Sequence, residues 1–127
     1  MFADMKSMVI KAWRERYALL AINCMNLESA RAAVRVAEKH RAPIILNLYQ
    51  GHLAHFPPSV AVAVVKALAD EATVPVTLAL DHGKDPVRIR QAFRAGFSGL
   101  SQARAFAILD NGYGANSRRS SMRRAIR

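Results

Sequence analysis

An α/β fold of parallel βα repeats is what this amino-acid sequence predicts, and three observations carry the expectation. Short apolar runs alternate with stretches of helical period. The runs recur about every 23 to 30 residues, the length of one strand with its helix and crossover, and polar groups gather where the runs end.

Taken in order, Met5, Met8, Val9, Ala12 and Trp13 fall on one face of a short amphipathic helix. Tyr17 to Ile22 is a compact apolar run, read as the first strand, and it ends at Asn23. Asn26 can cap a second helix, because its side-chain oxygen accepts from the free N–H groups of a first turn. The inward face is then Leu27, Ala30, Ala33, Val34 and Ala37. Pro43 closes that helix. Ile44 to Leu48 is apolar apart from Asn47, the pattern of a strand covered on both faces. Pro57 and Pro58 open a third helix, where a missing N–H costs nothing, with Val60, Val64, Val65 and Leu68 inward. Val74 to Leu80 is the third strand. Asp85 and Pro86 start a fourth helix carrying Val87, Ile89, Ala92 and Phe93; Gly96 ends it, and Phe97 to Leu100 opens a fourth strand. Parallel sheets are closed barrels or open doubly wound layers. Open sheets often carry a glycine-rich turn after the first strand. Asn23-Cys24-Met25-Asn26 has no glycine, which favours a barrel, with its chemistry at the C-terminal ends of the strands.

The chain has 127 residues, 52% of them hydrophobic, enough for one domain with a core, which excludes disorder of the whole. The net charge of +10 invites a nucleic-acid or anionic-surface reading. Residues 1–100 hold 13 Lys and Arg against 8 Asp and Glu, whereas residues 101–127 hold 6 Arg against Asp110, so half of the excess lies in the last fifth. That tail places only Phe106 and Tyr113 before its arginine cluster, a poor stacking platform for single strands. A basic module binding RNA or an anionic surface by counterion release is nevertheless the alternative to an enzyme. The apolar runs Tyr17–Ile22 and Val60–Val65 fall far short of the ~20 residues of a membrane span. No secretion leader is read in Met-Phe-Ala-Asp-Met-Lys-Ser, and a lone cysteine suits a reducing cytoplasm.

The strongest local signal is Asp81-His82-Gly83 at the end of the third strand. It joins a proton-transfer group to a metal ligand, with Gly83 letting the backbone turn beside them. The same tripeptide also suits a plain turn in which Asp81 accepts backbone hydrogen bonds. His52 and His55, three apart, could join His82 in a metal site, or be surface groups of an irregular loop. His40 complements a helix C-terminus beside Lys39 and Arg41, and Cys24, with no histidine nearby in sequence, reads as a buried small hydrophobe.

Together, Ala21-Ile-Asn23, Asn26-Leu-Glu28, Ala42-Pro-Ile-Ile45, Gly51, Val74-Pro-Val-Thr-Leu-Ala-Leu-Asp81-His82-Gly83 and Ala95-Gly96-Phe97-Ser98 resemble the class II, zinc-dependent fructose-bisphosphate aldolases and their tagatose-bisphosphate relatives. The resemblance spans residues 5–100. It implies the first third of a (β/α)8 TIM barrel, a sugar-phosphate substrate and a zinc cofactor. By position His82 is implied as the first zinc ligand, Asp81 as the acid/base on the aldehyde oxygen, and Asn23 as a substrate neighbour. Tyr49 stands where many members have a small hydroxyl residue. The family's two further zinc histidines, a glutamate and a glycine-rich phosphate loop have no counterpart, since no histidine follows His82 and Ser101 onward matches nothing. Residues 1–100 are thus expected to form a partial barrel segment. Residues 101–127 are expected to be a disordered tail, from natural truncation or, as their Arg/Ser/Gly richness favours, a shifted reading frame near Leu100. Without the rest of a barrel, the inner faces of Ile44–Leu48 and Val76–Leu80 are expected to lack an opposite wall, leaving the chain inactive alone and prone to self-association.

Overall fold

A computed structural model of the protein describes residues 1–100, and the expectations for residues 101–127 lie outside them. Four parallel strands alternate with helices in the order α1 (Met5–Glu15), β1 (Leu20–Asn23), α2 (Leu27–Lys39), β2 (Ile44–Tyr49), α3 (Pro58–Glu71), β3 (Val76–Asp81), α4 (Pro86–Ala95) and β4 (Gly99–Leu100), with a 3-10 turn at Gln50–Ala54. The strands lie side by side as β1-β2-β3-β4, all parallel, so α2, α3 and α4 are crossovers between neighbours while α1 precedes the first strand.

The caps at Asn26, Asp85 and Gly96 lie where the sequence placed them, and Asp4 adds one at α1. Asn26 Oδ1 accepts from the Ser29 N–H at 3.0 Å while Ser29 Oγ accepts from the Asn26 N–H at 3.2 Å, a reciprocal capping box. Asp85 accepts from the Val87 N–H at 2.8 Å. Asp4 accepts from the Ser7 N–H at 2.9 Å, and this backbone hydrogen bond holds its carboxyl below the ordinary 3.8. Gly96 closes α4 at φ 114°, a left-handed conformation that a Cβ would strain.

Strand periodicity divides the sheet. Ile44, Leu46, Leu48, Val76, Leu78 and Leu80 point toward α2, α3 and α4 and are buried with Val34, Val65 and Ile89. The opposite face carries Ile45, Asn47 and Tyr49 in register with Thr77, Ala79 and Asp81. Here the expectation of a missing wall is corrected. Helix α1 lies on that face, its Met8 packed with Ile45 and Ala79, and Ile45, Asn47, Thr77 and Ala79 are all buried. The Met5 N–H donates to Ser98 Oγ at 3.3 Å, and Ser98 shares a short hydroxyl contact with Thr77, which ties α1 to the start of β4.

Other expectations shift in detail. The first strand begins at Leu20 rather than Tyr17, because Arg16 takes φ 61° to end α1 and the Tyr17 N–H still bonds back to Ala12. All of β1 is exposed, with Leu20 at 58%. Val9, Trp13, Val60, Val87 and Phe93 are exposed rather than inward, and α3 turns Ala61, Val62, Val65, Leu68 and Ala69 to the core. Among the described residues no helix is long and apolar enough to cross a membrane.

Candidate active site

Because the strands are parallel, their C-terminal ends open on one side, and successive residues point to opposite faces. Asn23 pairs in register with Asn47, and Tyr49 with Asp81, so four side chains that a buried strand would not carry by chance share one end of one face. A cleft of about 440 Å³ opens there, lined by Asn23, Tyr49, His52, Asp81, His82 and Lys84.

Asn23 and Asp81 are 58 residues apart in sequence, yet Asn23 Nδ2 donates to Asp81 Oδ2 at 3.2 Å. His82 Nε2 lies 3.7 Å from the same carboxylate oxygen, an ion pair whenever the imidazole is protonated. The Asp81 side chain is 13% exposed and that of His82 44%, so the carboxylate is set into the cleft while the imidazole stands at its mouth. The sequence assigned the sharp turn to Gly83. The left-handed residue is instead His82, at φ 54°, a conformation that holds a non-glycine side chain out of the strand line. Gly83 is needed for closeness: a Cβ there would meet Leu100 Cδ2 at 2.8 Å and Ile89 Cγ1 at 3.0 Å. The plain-turn alternative is thereby met in part, since the segment is a turn into α4, but one whose acidic and imidazole groups both face the cleft.

Tyr49 joins the wall. Its ring stands edge-on to His52 at 5.4 Å between centroids and to His82 at 5.8 Å. His55 is exposed and outside the cleft, so the three-histidine metal site is not assembled, and among the described residues no three His, Cys, Asp or Glu side chains gather to hold a metal ion. Buried Asn47 Oδ1 and His52 Nδ1 have no hydrogen-bond partner among the described residues. His40 ends α2 as read. Cys24 is buried at 1% exposure, its Sγ 3.5 Å from the Asn47 carbonyl, and burial pushes its thiol up to about 11.

Sequence reasoning missed Lys84 and the contacts that Gln50 makes. Lys84 and Gln50 gave no signal, because their places depend on loop geometry.

The family model described as fructose-bisphosphate aldolase class-II matches residues 3–101. A fructose-bisphosphate aldolase of Mycoplasma genitalium is 39% identical over 103 residues, covering 79% of this chain and 35% of that protein. A 6-phospho-5-dehydro-2-deoxy-D-gluconate aldolase of Bacillus licheniformis is 36% identical over 102 residues, covering 78% and 35%. The crystal structure of the YdjI aldolase from Escherichia coli K12 superposes with a TM-score of 0.72 at 26% identity, covering 80% of this chain and 40% of that one. The chain thus spans about 35% of the length of the curated relatives it matches.

Proposed function

From the premise that the chain belongs to the class II fructose-bisphosphate aldolase family, we propose that its site serves the reversible aldol cleavage of a phosphorylated ketose to dihydroxyacetone phosphate and an aldehyde. The observation that carries this reading is the meeting of Asn23, Asp81 and His82 at one cleft. Asp81 takes the proton from the hydroxyl beside the bond that breaks. As that oxygen becomes the aldehyde carbonyl, the carbon–carbon bond opens and its electron pair stays on the dihydroxyacetone phosphate half as an enediolate. In the reverse direction the same carboxyl returns the proton. Asn23 orients the carboxylate and borders the substrate space. Tyr49, packed against two imidazoles, narrows the wall and bears on which ketose is accepted.

In this reading His82 would give a zinc ion its first protein ligand, and the ion, when bound, would supply Lewis-acid stabilisation of negative charge. A catalytic zinc takes three protein ligands, and residues 1–100 gather no such set. They do not make the zinc site on their own, and the proton transfer at Asp81 is the step that they support. A cytoplasmic enzyme acting on sugar phosphates is the setting that the reading implies.

The test is a chimaera in which residues 3–101 replace the matching part of the Mycoplasma genitalium relative. It is expected to cleave fructose bisphosphate, with Asp81→Ala lowering kcat by about 10²-fold or more. Cleavage that survives Asp81→Ala would overturn the role given to Asp81.

A further inference from the structure

The Gln50 side chain, at the first position of the 3-10 turn, ties two loops beside the site together. Its Oε1 accepts from two backbone N–H groups on the far loop, Lys84 at 2.7 Å and Asp85 at 2.9 Å. Because both partners can only donate, they also fix which end of the amide is oxygen. Asp85 is the N-cap of α4, and the N–H of an N-cap is the group that a glutamine or glutamate satisfies from within its own helix in a capping box. Here that acceptor comes from 35 residues earlier in the chain.

The consequence concerns His82. The segment from Asp81 to Asp85 is fixed at its start by the β3 ladder and at its end by Gln50, leaving Gly83 and left-handed His82 between two anchored points. Tyr49, the preceding residue, holds its ring edge-on to the His82 imidazole. One dipeptide at the end of β2 therefore grips the neighbouring loop twice, tyrosine on the side chain and glutamine on the backbone.

We propose that Gln50 is a positioning residue: by accepting the Lys84 and Asp85 N–H groups it fixes the loop that follows Asp81 and carries His82, and holds the His82 imidazole against Tyr49. As a statement about catalysis this rests on the roles given to Asp81 and His82 above; as a statement about geometry it does not.

The experiment is solution NMR on the isotope-labelled 127-residue chain, without zinc or substrate, comparing wild type with Gln50→Leu and Gln50→Glu. The wild type should show Lys84 and Asp85 amides protected from exchange and His82 ring protons shifted by the Tyr49 ring current, a shift that Tyr49→Leu removes. Gln50→Leu should speed exchange of both amides by about tenfold or more and abolish the His82 shift, with β2 and β3 amides unchanged. Gln50→Glu keeps the acceptor and places negative charge at a helix N-terminus, so it should restore both readouts to within about twofold. Retention of both signals in Gln50→Leu, or their loss in a folded Gln50→Glu, would overturn the proposal. Should Gln50→Leu fail to fold, the other two proteins decide: unprotected Lys84 and Asp85 amides in the wild type overturn it, and protection kept in Gln50→Glu supports it. None of these readouts involves cleavage, so a chimaera indifferent to Asp81→Ala would refute the catalytic reading and leave the clamp standing.

Discussion

At the scale of single residues, Cys24 and His82 respond to the same fold in opposite ways. Cys24 is enclosed, and burial disfavours its thiolate, so the folded protein keeps the proton up to about 11 while the ordinary thiol releases it near 9.0. Folding is thus favoured by the neutral thiol. This contribution is complete below pH 9.0 and is lost as pH rises toward 11. Denaturant melts of the wild type against Cys24→Ala should diverge only in that window, the wild type losing roughly 2–3 kcal/mol more than the variant across it. Parallel curves would refute the assignment. His82 projects into solvent at the mouth of the cleft and belongs to no three-ligand cluster among the described residues. Zinc should therefore bind the 127-residue chain weakly and not copurify at one ion per chain; elemental analysis giving stoichiometric zinc that His82→Ala removes would contradict this. That Asn23 and Asp81 each close an apolar run was legible in the sequence, and the fold brings both, with His82 beside them, to one cleft. Gln50 and Lys84 were not legible, because what they touch is decided by how two loops 34 residues apart are brought together.

Among elements, caps were more legible than faces. Asn26, Asp85 and Gly96 act through backbone groups within a few residues, so local sequence contains the whole interaction. Gly96→Ala must hold a Cβ at φ 114° with Val62 Cγ1 3.4 Å away, and should destabilise the chain by about 1–2 kcal/mol in thermal or denaturant melts. A neutral result would show that the α4 terminus relaxes. Faces are different, because packing is settled by a partner. Helix α3 is apolar nearly all round, so its periodicity has no single direction, and the sheet selects Ala61 and Ala69, whose small side chains are fully buried, while Val60 faces out. The start of β1 shows the same limit: nothing in the run from Tyr17 to Ile22 reveals that three of its residues are used in turning back from α1.

Across the whole molecule, a parallel sheet was readable from the alternation of strand and helix, but the cover on its inner face was not. The alternation points to later strands for an opposite wall, whereas helix α1 supplies part of it, with Met8 over Ile45 and Ala79 and with Met5 tied to Ser98. This changes where the chain should be adhesive. Strands β2 and β3 are buried on both faces, so the inner sheet is not the sticky surface. Exposed apolar groups are scattered over the helices, as at Trp13, Val36, Val60 and Val87, but on a strand they fall at β1, where Leu20 is 58% and Ile22 37% exposed, and β1 is an edge strand among the described residues. An edge of this kind presents unpaired backbone groups beside apolar side chains, the combination that promotes strand addition. The 127-residue chain is therefore expected to associate with increasing concentration in analytical ultracentrifugation, and to do so through β1. Leu20→Lys with Ile22→Lys should shift it toward monomer without loss of secondary structure, because both side chains already reach solvent and lysine guards edges by its charge. A wild-type chain that stays monomeric at high concentration, or a double variant that associates as strongly as the wild type, would place the adhesive surface elsewhere.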